Sequence, residues 1–355
     1  MARYLRDKRR WASTQAGWRT SWVVSGECEL PDRRVGGLRL PASGGYRFPL
    51  KRHEAARTIA SLEPDLIEAG DPFVLAWAAL DAAEHCGVPA AAFCHSNVVE
   101  QAGRLGRWAR RSTGRYLRHL YRKYDVVFAA SRWMVGEARD LGLDNVVYQP
   151  LGVDLKRFHP SKRSEQWRLG LGIPQHMVVL LYVGRLAPEK NLHILGETVD
   201  SLGRDYVLVV QGAGLCPPQG ARVVRLPYCS DPDALAHALA SADVFVHAGT
   251  RETFGLAPLE ALACGTPVVL PARAGFLDLI DERAAVGAGA GTAQLLAEAV
   301  RSLRTTEPAE QRAQARIAAE AFGLDRSFAR LFERYAALLS MNPRTGESSG
   351  RLRLA

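Results

Sequence analysis

The stretch MVVLLYVGRLAPEKN, residues 177–191, decides the fold class of this chain. Its first seven residues are apolar or aromatic throughout, which is typical of a strand buried on both faces of a parallel sheet. A glycine and a polar loop with two cations follow, and a helical pattern begins after them. A buried strand, a loop and a helix in this order predict one unit of an α/β sheet.

The same pattern recurs along the chain and predicts an α/β protein with parallel sheets. Apolar runs of strand length alternate with helical stretches: SWVVSG, AAAFCHS, DVVFAAS, NVVYQPL, MVVLLYVG, YVLVVQG, ARVVRLP, DVFVHAG and TPVVLPA. The chain has 355 residues. Since single hydrophobic cores stop growing at about 250 residues, we expect two domains.

The alternation is interrupted between Pro150 and His176 by turn residues and charges, so we place the domain boundary there. We expect an N-terminal domain over residues 1–152 and a C-terminal domain over 153–325. A periodic pattern predicts a helix over 326–340, and the polar tail over 341–355 has a composition that predicts disorder.

Composition and charge narrow the class of protein. No apolar run reaches the ~18 residues of a membrane span, and the basic start MARYLRDKRRWAS lacks the apolar stretch of a secretory signal, so we expect a cytoplasmic protein. The 6 cysteines have no CxxC spacing, which indicates free thiols rather than a zinc site or disulfides. The net charge of +9 favours an anionic partner.

Three loops of the C-terminal half carry the candidate chemistry, because ligands bind at the carboxyl ends of parallel strands. The first loop begins at Gly184 and contains Arg185 and Lys190. Two cations in one short loop suit a diphosphate. The second loop supplies Gly212 and Gly214, where the backbone permits a close approach to a ligand.

The third loop lies in DVFVHAGTRETFGLAPLEALACGTPVVL, residues 243–270. We expect a helix from Gly255 to Cys264, with Pro258 in its first turn. The free N–H groups at the start of such a helix attract an anion. A phosphate repels carboxylates, so Glu252 and Glu260 are expected to contact hydroxyl groups of ribose or sugar instead.

These motifs resemble the donor-site motifs of the family 4 (group 1) glycosyltransferases. The resemblance depends on YVGRLAPEKN and on the Glu252–Glu260 pair inside RETFGLAPLEALACGTPVV, and it spans about residues 126–339. It implies the GT-B fold, with two facing Rossmann-like domains. It also implies that a hexosyl group passes from a UDP- or GDP-linked sugar to a hydroxyl acceptor with retention of configuration, without a metal ion or another cofactor.

The resemblance implies a role for each donor-site residue. Arg185 and Lys190 hold the diphosphate, and Glu252 contacts the donor sugar. Glu260 binds the ribose. The backbone and loop positions expected to complete the donor site are Gly184, Gly212, Gly214, Phe254, Gly255 and Leu256. The structural alternatives are solvated charges, a surface helix residue and ordinary turn glycines.

The segment Asp231-Pro232-Asp233 has the form of a metal-binding DxD pattern. Pro232, however, suits the first position of a helix and Asp231 suits its N-cap, so we expect a capped helix and no metal site. The two cations and the helix N-terminus then have to offset the charge of the leaving diphosphate.

In the N-terminal half, His95 follows the apolar strand AAAFCHS and lies at the predicted carboxyl edge of its sheet. The family resemblance implies that a histidine at such a position faces the donor sugar, and we count it with Glu252 as catalytic. The alternative is a histidine that caps a loop together with Ser96 or Asn97.

A set of arginines spaced 3, 4, 4, 3 and 4 residues apart predicts one basic helical face: Arg104, Arg107, Arg111, Arg115, Arg118 and Arg122. Like charges so placed repel one another, and an anionic surface relieves the repulsion. The functional interpretation is a phosphorylated lipid acceptor or head groups at the inner face of the plasma membrane. A solvated face is the alternative, and Gly106 and Gly114 weaken a continuous helix.

The sequence thus predicts a bacterial glycosyltransferase of glycan biosynthesis with a carbohydrate or lipid-linked acceptor, peripheral to the membrane and without a nucleic acid partner. Three alternatives stay open. One is a degenerate, inactive GT-B protein, and another is a different GT-B enzyme such as a sugar-nucleotide epimerase. The third is a basic protein that binds nucleic acid or membrane.

The beginning of the chain departs from the family pattern. A Rossmann-like domain opens with a strand and a glycine-rich turn, but this sequence starts with helix-like ARYLRDKRRWAS and reaches its first predicted strand only at residues 22–25. The pairs Gly36-Gly37 and Gly44-Gly45 come too late for that turn. We therefore expect that the first strand is missing, through either a start assigned too far downstream or a true truncation.

Overall fold

The computed structural model describes residues 2–25, 32–39, 47–341 and 352–354. The chain forms two compact units, Met1–Pro150 with Phe328–Ala355, and Leu151–Ser327. The division lies next to the predicted boundary at residue 152. In the described ranges no helix combines the length and the apolar character that crossing a membrane requires.

The helices of the first unit that precede residue 150 are α1 (Ala2–Thr14), α2 (Arg52–Ala60), α3 (Val74–Cys86), α4 (Val98–Ala102), α5 (Arg107–Tyr121) and α6 (Arg132–Asp140), with a 3-10 turn at Gly103–Leu105. The strands are β1 (Trp18–Thr20), β2 (Val23–Val24), β3 (Arg33–Arg34), β4 (Gly37–Arg39), β5 (Arg47–Pro49), β6 (Ile67–Ala69), β7 (Ala90–Cys94), β8 (Val126–Ala129) and β9 (Val146–Tyr148).

The elements after residue 150 begin with a 3-10 turn at Pro160–Lys162. The helices are α7 (Glu165–Gly170), α8 (Leu192–Leu202), α9 (Pro232–Ser241), α10 (Leu256–Ala263), α11 (Ala293–Leu303), α12 (Pro308–Glu320) and α13 (Leu324–Ser340). The strands are β10 (Val178–Val183), β11 (Tyr206–Gln211), β12 (Val223–Leu226), β13 (Val244–Val246), β14 (Val268–Leu270), β15 (Ala285–Gly287) and β16 (Leu352–Leu354). Further 3-10 turns occur at Pro188–Lys190 and Ala274–Asp278.

The main sheet of the first unit is parallel, in the order β6-β7-β8-β9. Strand β7 is buried at every position and consists largely of alanine. Such small side chains let the covering helices approach the sheet closely. The predicted strands AAAFCHS, DVVFAAS and NVVYQPL are confirmed, whereas the short strand β6 was not predicted.

The expectation that SWVVSG joins the parallel sheet is wrong. Val23 and Val24 pair with Arg33 and Arg34 in a separate ribbon of two short strands. The Asp32 carboxylate fixes this ribbon by accepting a hydrogen bond from the Trp22 backbone N–H at 2.7 Å. The apolar character of such a run predicts a strand, but it does not predict which strand pairs with it.

The glycine pairs near the start are placed differently. Gly37 begins β4, which pairs antiparallel with β5 in another two-stranded ribbon. The pair Gly44-Gly45 lies outside the described residues, and so does Cys28. The described cysteines are free thiols, of which Cys94 and Cys264 are buried.

The tail predicted to be disordered contains strand β16, so the prediction is wrong for residues 352–354. This strand pairs parallel with β1, and Leu354 bridges to Leu66 beside β6. The Arg353 N–H donates to the Asp65 carboxylate, and the Arg353 guanidinium pairs with Glu63. These long-range contacts outweigh the polar composition on which the prediction depended.

A buried ionic cluster joins three elements of the first unit. Lys8 of α1 lies 2.6 Å from Glu68 of β6 (Nζ to Oε1), and both side chains are less than a tenth exposed. Lys8 also donates to the Tyr335 hydroxyl of α13 at 2.7 Å, and Tyr335 donates to the other Glu68 oxygen. Burial and then the Glu68 charge raise the pKa of Tyr335 well above its usual value, so this hydroxyl keeps its proton.

The second unit has one parallel sheet in the order β12-β11-β10-β13-β14-β15. This is the strand order of a Rossmann fold, in which the chain reverses direction across the sheet between β10 and β13. Ligands bind at that switch point, beyond the carboxyl ends of the strands. The two loops that meet there follow β10 and β13, and both were singled out from the sequence.

We predict that Lys8→Ala strongly destabilises the first unit, because it leaves the Glu68 carboxylate buried without its cation. Breaking one partner of a buried pair costs about 3–5 kcal/mol. Urea unfolding followed by circular dichroism measures this. The matched control is Lys51→Ala, which removes an exposed pair with Glu54 and should change stability by less than about 1 kcal/mol. Equal stability of the two variants would contradict the role of the cluster.

Candidate functional site

Backbone and side-chain hydrogen bonds hold the three predicted loops together at the switch point of the second unit. The Leu186 N–H donates to the Ala213 carbonyl at 2.8 Å, which joins the first loop to the second. The Asn191 side chain donates to the Ala248 carbonyl at 3.3 Å, which joins the first loop to the third. The sheet order therefore brings the loops together as the sequence predicted.

The glycines of the second loop have a structural reason of their own. A Cβ at Gly212 would lie 1.9 Å from the Gly184 carbonyl oxygen. At Gly214 it would lie 2.2 Å from the Leu186 carbonyl oxygen. Both positions must be glycine for the two loops to run this close together, whether or not a ligand approaches them as well.

The centre of the site is the carboxylate of Glu252, which lies in the third loop with 21% of its side chain exposed. It accepts a hydrogen bond from Lys190, and one of its oxygens lies 3.5 Å from Nε2 of His247. Although burial opposes ionisation, the hydrogen bond from His247, followed by the charge and hydrogen bond of Lys190, holds the pKa of Glu252 far below its usual value. Glu252 is therefore a fixed anion at neutral pH.

His247 is a site residue that the sequence analysis missed. It directly follows strand β13, and its side chain is buried between the rings of Tyr182 and Phe276, at centroid distances of 5.3 and 5.0 Å. The Gly249 N–H donates to Nδ1 at 2.9 Å, so Nδ1 acts as the acceptor. The proton of a neutral ring then lies on Nε2, on the side of Glu252. The signal that could have found it is the one used for His95, a histidine at the carboxyl end of a buried strand.

The two cations of the first loop differ in their surroundings. The Arg185 side chain is 73% exposed, and its guanidinium pairs with Glu189 at 2.9 Å. Lys190 is 14% exposed and is neutralised by Glu252. Arg185 is therefore the accessible cation of this loop, while Lys190 is held inside the site.

The helix predicted after the third loop is confirmed as α10, with Gly255 as its N-cap. Gly255 has a φ of 106°, and a Cβ there would meet the Phe276 ring at 2.8 Å, so only glycine fits. The first backbone N–H groups of α10, from Leu256 onward, have no partner inside the helix and can bind an anion.

Two residues assigned to the donor site are buried. The ring of Phe254 is 1% exposed and packs against Phe322 at 5.8 Å between centroids. Glu260, on α10, is 3% exposed. Burial and then the Glu260 charge raise the pKa of the Cys264 thiol to about 12. Phe254 therefore packs in the core of this unit.

The capping role of Asp231 is confirmed. Its carboxylate accepts a hydrogen bond from the Asp233 N–H at 3.0 Å, and helix α9 begins at Pro232. The Asp233 carboxylate pairs with Lys162 at 3.2 Å. In the part of the chain that the structure describes, no three or more His, Cys, Asp and Glu side chains are grouped so that they could hold a metal ion.

His95 lies in the first unit at the carboxyl end of β7. Its ring stacks on Phe93 at 4.2 Å and meets the ring of Tyr4, from α1, edge-on at 5.7 Å. Burial, followed by the charge of Lys8, lowers the pKa of His95 to about 3, so the ring is neutral. The cap of the following helix is Asn97, whose side chain accepts from the Glu100 N–H. The catalytic role of His95 stays a prediction.

The expectation that the six arginines share one helical face is wrong. Arg104 lies in the 3-10 turn at Gly103–Leu105, and Gly106, with a φ of 110°, separates this turn from α5. Helix α5 carries Arg107, Arg111, Arg115 and Arg118, and Arg122 is its C-cap. Beside them Leu105 and Trp108 are 85% and 81% exposed.

Family models match both halves of the chain. The model described as Glycosyltransferase Family 4 matches residues 3–157. The model described as Glycosyl transferases group 1 matches residues 163–322.

Two similar proteins come from mycobacteria. The chain is 34% identical to a GDP-mannose-dependent alpha-(1-6)-phosphatidylinositol dimannoside mannosyltransferase of Mycobacterium tuberculosis, over 87% of this chain and 83% of the relative. It is 33% identical to a GDP-mannose-dependent alpha-mannosyltransferase of Mycolicibacterium smegmatis, over 70% and 69% of the two chains.

Among solved structures, the chain is similar to sucrose-phosphate synthase from Thermosynechococcus elongatus. The TM-score is 0.76 at 20% identity, and the similarity covers 95% of this chain and 93% of that one. At this level of identity the likeness concerns the fold, and it agrees with the predicted GT-B class of two Rossmann-like domains.

We predict that His247→Asn destabilises the second unit at neutral pH more than His247→Gln does. The glutamine keeps a donor near the position of Nε2, whereas asparagine keeps only a polar group near Nδ1. A carboxylate with a depressed pKa stabilises the fold above its unfolded pKa, near 4.5, and loses that contribution as the pH falls toward its folded pKa. The difference between His247→Asn and the unchanged protein should therefore shrink below about pH 4.5.

Urea unfolding at neutral and at acidic pH measures this difference. The exposed His237, which contacts the Lys162 carbonyl, supplies the matched control His237→Asn. A pH-independent loss of stability in His247→Asn would show that the ring acts through packing alone.

Proposed function

Because the chain belongs to the family 4 (group 1) glycosyltransferases and is thus an enzyme that uses a nucleotide sugar, we propose that its donor is GDP-mannose and its acceptor a lipid-linked glycan. The GDP-mannose-dependent relatives support the donor. The observation that carries the donor site is the cluster of Arg185, Lys190 and Glu252 beside the N-terminus of α10.

The donor diphosphate binds where its charge is best compensated. Arg185 offers an accessible guanidinium, and the first N–H groups of α10 add a partial positive charge. When the diphosphate approaches Lys190, it competes with Glu252 for the ammonium group. Glu252 then turns to a hydroxyl of the donor sugar, which is the role that the family resemblance gives it.

Transfer proceeds through departure of the nucleoside diphosphate and attack of an acceptor hydroxyl on the anomeric carbon. Arg185, Lys190 and the helix N-terminus offset the charge on the departing phosphate, and each charged hydrogen bond contributes about 1.5–3 kcal/mol. Attack from the leaving-group face retains configuration, with a phosphate oxygen as the proton acceptor. The transfer requires no metal ion, and Glu252 contacts the sugar.

We predict that Arg185→Ala and Lys190→Ala each weaken GDP-mannose binding at least tenfold, because each removes a charged contact worth about 1.5–3 kcal/mol. Isothermal titration with GDP and GDP-mannose, followed by product analysis in the presence of EDTA, tests donor and metal independence together. The control is Arg204→Ala, a loop residue between α8 and β11 at the opposite end of the sheet.

Unchanged binding in both site variants would overturn the donor assignment. Tighter binding of UDP-glucose than of GDP-mannose would overturn the choice of donor. Activity that is lost in EDTA and restored only by manganese would contradict metal independence.

The proposed acceptor is at the inner face of the plasma membrane. The relative from Mycobacterium tuberculosis has phosphatidylinositol dimannoside, a glycolipid, in its name. In this chain, support comes from the 3-10 turn at Gly103–Leu105 and the start of α5, where the exposed side chains of Leu105 and Trp108 lie among arginines. Apolar side chains beside cations are the composition of a surface that lies on anionic lipid.

We predict that the protein floats with vesicles that contain phosphatidylglycerol and not with pure phosphatidylcholine vesicles, and that added salt releases it. The double variant Leu105→Ser and Trp108→Ser should lower the partition coefficient at least tenfold, since each buried side chain contributes about 1.5–3 kcal/mol. Leu215→Ser, at an equally exposed site of the second unit, is the matched control. Equal flotation with both vesicle types would contradict the proposed surface.

A further inference from the structure

The first unit contains a cavity that none of the roles described so far uses. Its volume is about 600 Å³, within the range of small-molecule sites. It lies between α5, α6 and the main sheet of this unit. Its inner wall is apolar and buried, and the residues that form it include Leu117, Tyr121, Val127, Ala129, Met134 and Leu143.

The outer part of the same cavity is strongly basic. Five exposed arginines line it: Arg107, Arg110, Arg111, Arg115 and Arg118. Two carboxylates, those of Glu137 and Asp140, line it as well, so five positive and two negative charges leave a net charge of +3. Glu137 already accepts a hydrogen bond from Asn97 at 3.2 Å.

The arginines of the cavity are not engaged by the protein itself. Across the described ranges, none of these five guanidinium groups donates a hydrogen bond to another residue or pairs with a carboxylate. Arginine is suited to phosphate because its planar group donates in pairs. An apolar interior behind unpaired guanidinium groups therefore matches an amphiphile with an anionic head.

A glycine helps to keep the cavity open. Gly114 is buried in the middle of α5 and lines the cavity, and a Cβ there would lie 3.0 Å from the Leu141 side chain. Glycine in a helix interior is unfavourable for the helix. Its presence opposite Leu141 leaves space between α5 and α6 that a larger side chain would fill.

We propose that this arginine-lined cavity binds one acyl chain of a phospholipid and holds the lipid phosphate on its arginines. The inference rests on the proposed lipid-linked acceptor and names the part of that acceptor which this unit binds. Ser96 lines the cavity directly after His95 at the carboxyl end of β7. A lipid anchored here presents its glycan to the strand edge that carries the predicted catalytic histidine.

The test uses three soluble probes that separate the two parts of the ligand. Decanoyl lysophosphatidate carries both a chain and a phosphate, glycerol phosphate carries only the phosphate, and monodecanoylglycerol carries only the chain. Binding to the full chain is measured by isothermal titration below the aggregation concentration of each amphiphile. We expect lysophosphatidate to bind at least tenfold more tightly than either of the other two.

Variants locate the binding. Leu141→Trp fills the cavity and should abolish lysophosphatidate binding, while GDP binding in the second unit and the melting temperature show that the protein is folded. The exposed pair Arg111→Ser with Arg115→Ser should lower the affinity at least tenfold without touching the interior. Arg139→Ser, an exposed arginine on α6 outside the cavity, should leave the affinity within twofold.

Each contrary result has a definite meaning. If monodecanoylglycerol binds as tightly as lysophosphatidate, the cavity is a purely apolar pocket and the proposal is overturned. If glycerol phosphate binds as tightly as lysophosphatidate, the arginines form a site for free phosphate and the proposal is overturned as well. An effect of Arg139→Ser equal to that of the double variant would reduce the binding to general surface charge and also overturn it. Failure of GDP-mannose to bind would refute the proposed donor while leaving these lipid measurements intact.

Discussion

The carboxylate of Glu252, held between Lys190 and His247, is the contact on which the candidate site of the second unit depends. Lys190 belongs to the loop after β10, and the other two belong to the loop after β13. These segments are far apart in sequence and meet because β10 and β13 are neighbours at the switch point of the sheet. The ion pair thus holds the loops against each other and also neutralises the charge of Lys190. An anionic ligand that contacts Lys190 changes both the contact between the loops and the balance of charge in the site.

In the first unit, a buried ion pair likewise joins separate elements. Lys8 and Glu68 come from the first part of the chain and Tyr335 from its last helix, and together they fix α1 and α13 against β6. A buried pair adds little net stability, because desolvation opposes the attraction, but it penalises arrangements that separate the partners. The charge of Lys8 also reaches His95 and helps to keep that ring neutral. His95 can therefore act through hydrogen bonds or shape rather than through a positive charge.

The basic residues of the two units have different surroundings. In the second unit, Arg185 and Lys190 are each paired with a carboxylate, Glu189 and Glu252, so the charges of these two cations are offset within the protein. Around α5, by contrast, the arginines outnumber the nearby carboxylates and stand over an apolar cavity. The ion pairs of the second unit favour a polar ligand whose anionic groups replace the glutamates as partners of the two cations. The arginines and the apolar cavity of the first unit favour a ligand with an anionic head and an apolar chain. This difference supports a nucleotide sugar in one unit and a lipid in the other.

Local patterns in the sequence determined most of the strands, the cap at Asp231, helix α10 and the three loops of the switch point, because burial, capping and turns depend on neighbouring residues. The tertiary structure decided which residues pair. The strand at residues 352–354 pairs with residues 18–20, and Lys190 pairs with Glu252 across 62 positions of sequence, so both depend on distant partners. The pairing of Val23 and Val24 with Arg33 and Arg34 and the contact of His247 with Glu252 join residues that are closer in sequence, but local periodicity does not specify them either. Periodicity records whether a side chain is buried, but the identity of its partner is set by the order of strands in the sheet. For that reason the sequence alone predicted Lys190 and Glu252 as site residues, and only the fold showed that they neutralise each other.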